Sequence, residues 1–181
     1  MGMEIIERVN LAAAQGTLQL ASIPQGYKDL YILLSLRGGS NSSRLGITTT
    51  FNSDTSALYS YRLMFAYEGG QLTDSLSSKT PAQTPELTIS ANTSTAGTYG
   101  AIRIYIPDYT AAVSKPLIAD YIAENNSTSS YVLGTTGRVY ASNDPITSIE
   151  FGAQGHTFMQ FSSATLYGIS AGSDGNVTVS S

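Results

Sequence analysis

Residues 22–40 read SIPQGYKDLYILLSLRGGS, with Leu30, Ile32, Leu34 and Leu36 at alternate positions. A period of two puts all four on one side of an extended backbone, whereas a helix would scatter them around its axis. Pro24-Gln25-Gly26 before the run and Gly38-Gly39 after it are turn signals that bound one strand. The pattern recurs. Leu18 and Leu20 alternate within 17–23, Ile47, Thr49 and Phe51 within 46–52, and Ile102, Ile104 and Ile106 within 99–107. Further strand patterns cover 58–67, 86–90, 116–123, 131–140, 146–151 and 158–169. No stretch sustains a 3.6-residue period, and 11–15 and 109–114 could each form no more than a single turn. About ten short strands separated by turn signals predict an all-β chain, an antiparallel β-sandwich of jelly-roll type. Residues 72–98 are rich in Ser, Thr and Pro and read as a long loop around one short strand.

The 181 residues correspond to a single domain, expected over 16–170, with an N-terminal arm over 1–15 and a C-terminal tail over 171–181. Charged residues make up 12% of the chain, about half the usual share. The surface must therefore be built largely of Ser, Thr, Asn, Gln, Gly and Tyr. The net charge is -4, and the nine basic residues are scattered without forming a run. That balance argues against nucleic-acid binding, which draws its affinity from Lys and Arg on phosphates. Cysteine is absent, which excludes disulfides and thiolate metal sites. No apolar span is long enough for a membrane helix, and no membrane partner is expected. MGMEIIERVN carries acids where a secretory signal needs a basic region, so export by that route is not expected.

Motifs that carry chemistry are scarce. The single histidine, His156, lies in FGAQGHTFMQ between glycines and reads as a turn residue, with no G-x-S-x-G elbow to accompany it. One His and no Cys give zinc too few ligands, and Asp120, Glu124 and Asp144 lack the spacing of a calcium loop. The glycines are dispersed as turn-formers are, with no phosphate-binding arrangement. No catalytic, cofactor-binding or metal-binding residue is expected. Twelve tyrosines without any tryptophan are the one unusual chemical feature. Most fit half-buried strand positions, while Tyr27, Tyr31 and Tyr109 flank strand ends where they could face a partner.

A wider pattern is also present: Ile23-Pro24-x-x-Tyr27-x-x-Leu30, then Phe51-Asn52, Tyr61-Arg62-Leu63, and Ile104-Tyr105-Ile106-Pro107-Asp108-Tyr109. Ala123-Glu124-Asn125-Asn126 follows, and the pattern closes with Phe158-x-Gln160-Phe161-Ser162-Ser163-Ala164-Thr165-Leu166-Tyr167-Gly168-Ile169. Over roughly residues 16–170 the chain resembles a family of small virion structural proteins of tailed bacteriophages. The resemblance implies a virion component rather than an enzyme and transfers no catalytic residue. Family members often carry a Trp near the position of Val139-Tyr140, which this chain lacks.

The expected function is accordingly a capsid decoration (cement) protein on the outer surface of the head, made in the host cytoplasm and binding the major capsid protein at capsomer junctions. A homotrimer suits a threefold site. The expected contacts are Met3, Ile5, Ile6 and Val9 on a free arm, with Tyr27, Tyr31, Leu33 and Tyr109 at strand positions. The alternative is a receptor-binding or fibre-tip module that recognises a host-surface glycan.

Overall fold

The computed structural model describes residues 2–83, 87–125 and 131–171. The strands run in chain order as β1 (Gly2–Asn10), β2 (Thr17–Leu20), β3 (Asp29–Leu36), β4 (Arg44–Phe51), β5 (Tyr59–Tyr67) and β6 (Gly70–Lys79). A 3-10 turn at Pro81–Gln83 follows, then β7 (Leu87–Ser90), β8 (Gly100–Ile106), β9 (Lys115–Ala123), β10 (Val132–Tyr140), β11 (Ile149–Gly152) and β12 (Ser163–Ser170). They form two antiparallel sheets, one of eight strands in the order β1-β12-β3-β8-β9-β10-β5-β6 and one of four in the order β2-β11-β4-β7.

The order explains the architecture. The quartet β1-β12-β3-β8 and the small sheet β2-β11-β4-β7 exchange the chain in the jelly-roll manner, so that consecutive strands mostly cross between layers. Two antiparallel pairs, β5–β6 after β4 and β9–β10 after β8, extend the large sheet beyond β8. The chain is therefore the expected all-β sandwich, with a doubled-width sheet on one side.

Alternation decides which side chains fill the space between the layers. Leu30, Ile32, Leu34 and Leu36 of β3 are buried, as are Ile102, Ile104 and Ile106 of β8 and Leu117, Ala119 and Tyr121 of β9. From the small sheet Leu18, Leu20, Ile47, Phe51, Ile149 and Phe151 meet them in one continuous core. Tyr121 lies across the backbone of Gly134 on β10, where an added Cβ would come within 2.3 Å of the ring. That close approach is possible only for glycine.

Two strands depart from the sequence expectation. The segment expected as an arm is β1, paired with β12 along its length. A bulge between Ile5 and Glu7 shifts its register, which breaks strict alternation and hides the strand from pattern reading. Met3 and Ile5 stand on the exposed side, while Ile6 and Val9 turn back and pack against the core. Residues 72–79, within the 72–98 stretch expected as loop, belong instead to the edge strand β6, exposed along nearly its whole length. Among the described residues neither of its sides is covered, and its sequence accordingly shows no apolar phase. Of the tail expected over 171–181, residues 172–181 lie outside the described residues.

An aromatic cluster closes one end of the core. Tyr59 and Tyr140 lie 5.0 Å apart between ring centroids, and Phe51 is 5.3 Å from Tyr140. The Tyr59 hydroxyl donates to the Asp54 carbonyl at 2.9 Å, and the Tyr140 hydroxyl donates to the Asp54 carboxylate at 2.8 Å. Burial pushes the Tyr59 phenol well above its ordinary range. Burial, reinforced by the bond to Asp54, pushes Tyr140 to about 12.

Two outcomes follow from these contacts. Deleting residues 1–10 removes the half-buried Ile6 and Val9 and bares the β12 edge. The truncated chain should lose about 3 kcal/mol in urea unfolding and aggregate through the new edge. Unchanged stability and solubility would show β1 to be dispensable. In alkali, phenols held above their unfolded value of about 10 contribute stability that is complete below that pH and is lost as pH rises through the folded values. Unfolding should therefore set in between about pH 10 and 12, with the last phenolate absorbance appearing together with loss of structure. In Tyr140→Phe the midpoint of that transition should move upward.

Candidate interaction surface

The same alternation that fills the core sends a second set of residues outward from the large sheet, and register aligns them in rows. In the middle row, Thr165 of β12 lies opposite Leu33 of β3, Leu33 opposite Arg103 of β8, Arg103 opposite Asp120 of β9, and Asp120 opposite Thr135 of β10. One flanking row carries Tyr167, Tyr31, Tyr105 and Ile118, and the other carries Ala101, Ile122 and Leu133. Ile118 and Leu133 are each 59% exposed, Met64 on β5 52%, Leu33 42% and Ile122 40%. Strand β9 thus carries Ile118 and Ile122 on its outer side opposite an apolar inner side, with Leu133 of β10 beside them.

The charges near the middle of this face are paired. Arg103 Nε donates to Asp120 Oδ2 at 2.8 Å, and that bond is the main cause holding the Asp120 carboxyl below its usual value. Three shallow depressions, of about 450, 500 and 130 Å³, share Arg103 and Asp120 in their linings. The pair is therefore the hub of a broad, gently grooved surface rather than the floor of one deep pocket. The small sheet differs. Its outward row sets Glu150 of β11 between Gln19 of β2 and Thr50 of β4, a polar surface suited to water.

The structure gathers some of the expected contact residues and separates others. Met3, Ile5, Tyr31 and Leu33 all belong to the outer face of the large sheet, with Ile5 opposite Tyr167 and Tyr167 opposite Tyr31. The Tyr31 and Tyr167 rings lie 6.4 Å apart. Tyr27 lies against the backbone of Gly168, and its hydroxyl donates to Glu4 Oε2 at 3.0 Å. It braces β1 against β12. Tyr109 is a correction: it is wholly buried, with its hydroxyl donated to the Pro24 carbonyl. The turn at Asp108, with φ of 45°, swings its ring into the core, so no partner can reach it. Ile6 and Val9 likewise serve the core. His156 is exposed in the turn after β11, as its glycine-flanked setting implied.

Four large outward apolar residues, Ile118, Ile122, Leu133 and Met64, escaped sequence reading. Their signal was present in KPLIADYIA, where Ile118 and Ile122 fall on the opposite phase from Leu117, Ala119 and Tyr121. A strand apolar in both phases is covered on both faces or waits to be covered.

No protein-family model matches this sequence, and no curated protein matches it.

A double substitution checks that the outer face is not what holds the domain together. Ile118→Ser with Leu133→Ser should change the urea midpoint by no more than about 1 kcal/mol equivalent while lowering binding of a hydrophobic dye. A large loss of stability would mean that these side chains are packed in the folded chain.

Proposed function

We propose that this chain is a non-enzymatic structural protein of a tailed-phage virion, a decoration protein that stabilises the head by binding its assembled lattice. The observation that carries this reading is the outer face of the large sheet, which is wide, presents exposed Ile118, Ile122, Leu133, Leu33 and Met64, and pairs the charges at its centre. A surface of that kind is suited to contact with protein rather than to turning over a substrate. The jelly-roll scaffold, the low charge and the motif likeness agree with it. A protein that binds the intact shell but not separated subunits stabilises the shell by linkage, and many copies multiply a modest contact.

One observation favours a second reading. Tyr167, Tyr31 and Tyr105 lie side by side at one end of the face, with Asp29 accepting the Tyr105 hydroxyl at 2.9 Å. Aromatic rings lying side by side, one of them fixed by its bond to buried Asp29, could stack on a sugar, as a glycan-recognising fibre tip requires. Particles lacking the protein separate the two readings. They are expected to adsorb normally to cells but to release DNA at a lower temperature than complete particles. Particles that keep their heat resistance and fail to adsorb would establish the glycan reading instead.

A further inference from the structure

We infer that the outer face of the large sheet pairs with the same face of a second copy of this chain, about a twofold axis near the Arg103–Asp120 pair. This deepens the assembly reading, on which its biological setting rests, by naming a partner for the face.

Three observations lead to the second copy. The first is position. β8 and β9 are the fourth and fifth of the eight strands, and Arg103 and Asp120 occupy the middle one of the three outward rows. The ion pair is thus near the centre of the face in both directions. A twofold axis running along the strands between β8 and β9 brings Arg103 of each copy opposite Asp120 of the other, so one positive and one negative group make the centre of the face complementary to itself.

The second is size. Strands about 4.8 Å apart and outward residues about 6.8 Å apart make an eight-strand, three-row face about 38 Å by 20 Å, roughly 760 Å². That is within the roughly 600–1,000 Å² that a standard stable association buries on each partner. Two twisted sheets can meet face to face at about -30°, about 10 Å apart, which is how the layers of a sandwich already pack.

The third is composition. The centre carries Leu33, Ile118, Ile122 and Leu133, while Arg8 and Arg62 lie on strands near the two ends of the sheet. Apolar side chains flank the central ion pair, and further charges lie toward the rim, where protein contacts carry most of their polar groups. A face that meets its own copy does so with twofold symmetry, so the geometry points to a dimer rather than the ring of three expected from the sequence. The dimer presents two copies of every remaining surface, which lets it span two neighbouring subunits of a lattice.

Sedimentation equilibrium of the full chain at micromolar concentration tests this directly. The expected mass is that of two copies. Ile118→Asp should raise the dissociation constant by at least about tenfold with strand circular dichroism unchanged. The charges offer a test that does not depend on the apolar positions: Arg103→Glu should weaken the dimer, and adding Asp120→Arg should restore it. A monomer at all concentrations, a trimer, or a dimer indifferent to both sets of substitutions would overturn the pairing. Capsid binding separates this from the decoration reading: a monomer that coats heads overturns only the pairing, and a dimer that ignores heads overturns only the decoration role.

Discussion

The register of the four central strands, β3, β8, β9 and β10, is the constraint on which both faces of this protein depend. Leu30, Ile32 and Leu34 lie opposite Ile106, Ile104 and Ile102, and that alignment keeps one unbroken apolar layer against the small sheet. A slip of one residue would send every one of these side chains to the other face. The same alignment brings Leu33, Arg103, Asp120 and Thr135 into one outward row. The core and the outer surface are therefore two consequences of a single pairing, and the core enforces the surface.

Three buried cations tie the layers and loops together by donating to backbone carbonyls. Arg138 of β10 donates Nη2 to the Thr49 carbonyl of β4 at 2.8 Å, and its guanidinium lies 4.7 Å from the Tyr59 ring centre. It links the large sheet to the small one. Arg37, just past β3, donates to the carbonyls of Thr95, Thr98 and Ser94 at 3.0, 2.6 and 3.1 Å and so fixes the loop after β7. Lys115 donates to the carbonyls of Val113 and Ser142 at 2.5 and 3.2 Å, and burial pushes its amine below its ordinary range. Carbonyls suit this work because loops leave them unpaired, and a buried carbonyl and a buried cation each lower the other's desolvation cost. The positive charge does structural duty inside, which leaves few basic groups for the surface.

Legibility followed burial. Strands with one face in the core, such as β3, β8 and β10, announced themselves by alternation, and their limits were close to those read from the sequence. β6 could not be read because an edge strand exposed on both sides has no phase to display. β1 was hidden by its bulge, which puts Ile5 and Val9 on different sides although an even spacing in a regular strand would keep them together. Tyr109 misled for a related reason: a tyrosine at a strand end looks available, and only the turn at Asp108 reveals that its ring points inward. Tyr31 and Leu33 were legible as outward residues because they share the strand whose inner phase was clearest. Their partners in the face come from strands distant in sequence, so the face as a whole could emerge only once the strand order was known.

The strand order also shows why association through this face is the route left open. A sheet can join another chain along its edges or across its face. The edges of the large sheet are poor templates: β6 offers Gln71, Thr73, Asp74 and Ser75, and β1 carries Glu4, Glu7 and Arg8 beside a bulge. Polar, charged or bulged edges resist strand addition. The outer side of the small sheet is polar through Gln19, Thr50 and Glu150. Nothing in the stability of an isolated sandwich requires Ile118, Ile122 and Leu133 to face outward, since Ser or Thr would serve the strands as well and would be better solvated. Their presence beside guarded edges and a polar opposite sheet is explained when the outer face has a partner, and its central, mutually balancing pair of charges makes a second copy of the chain the simplest surface to fit it.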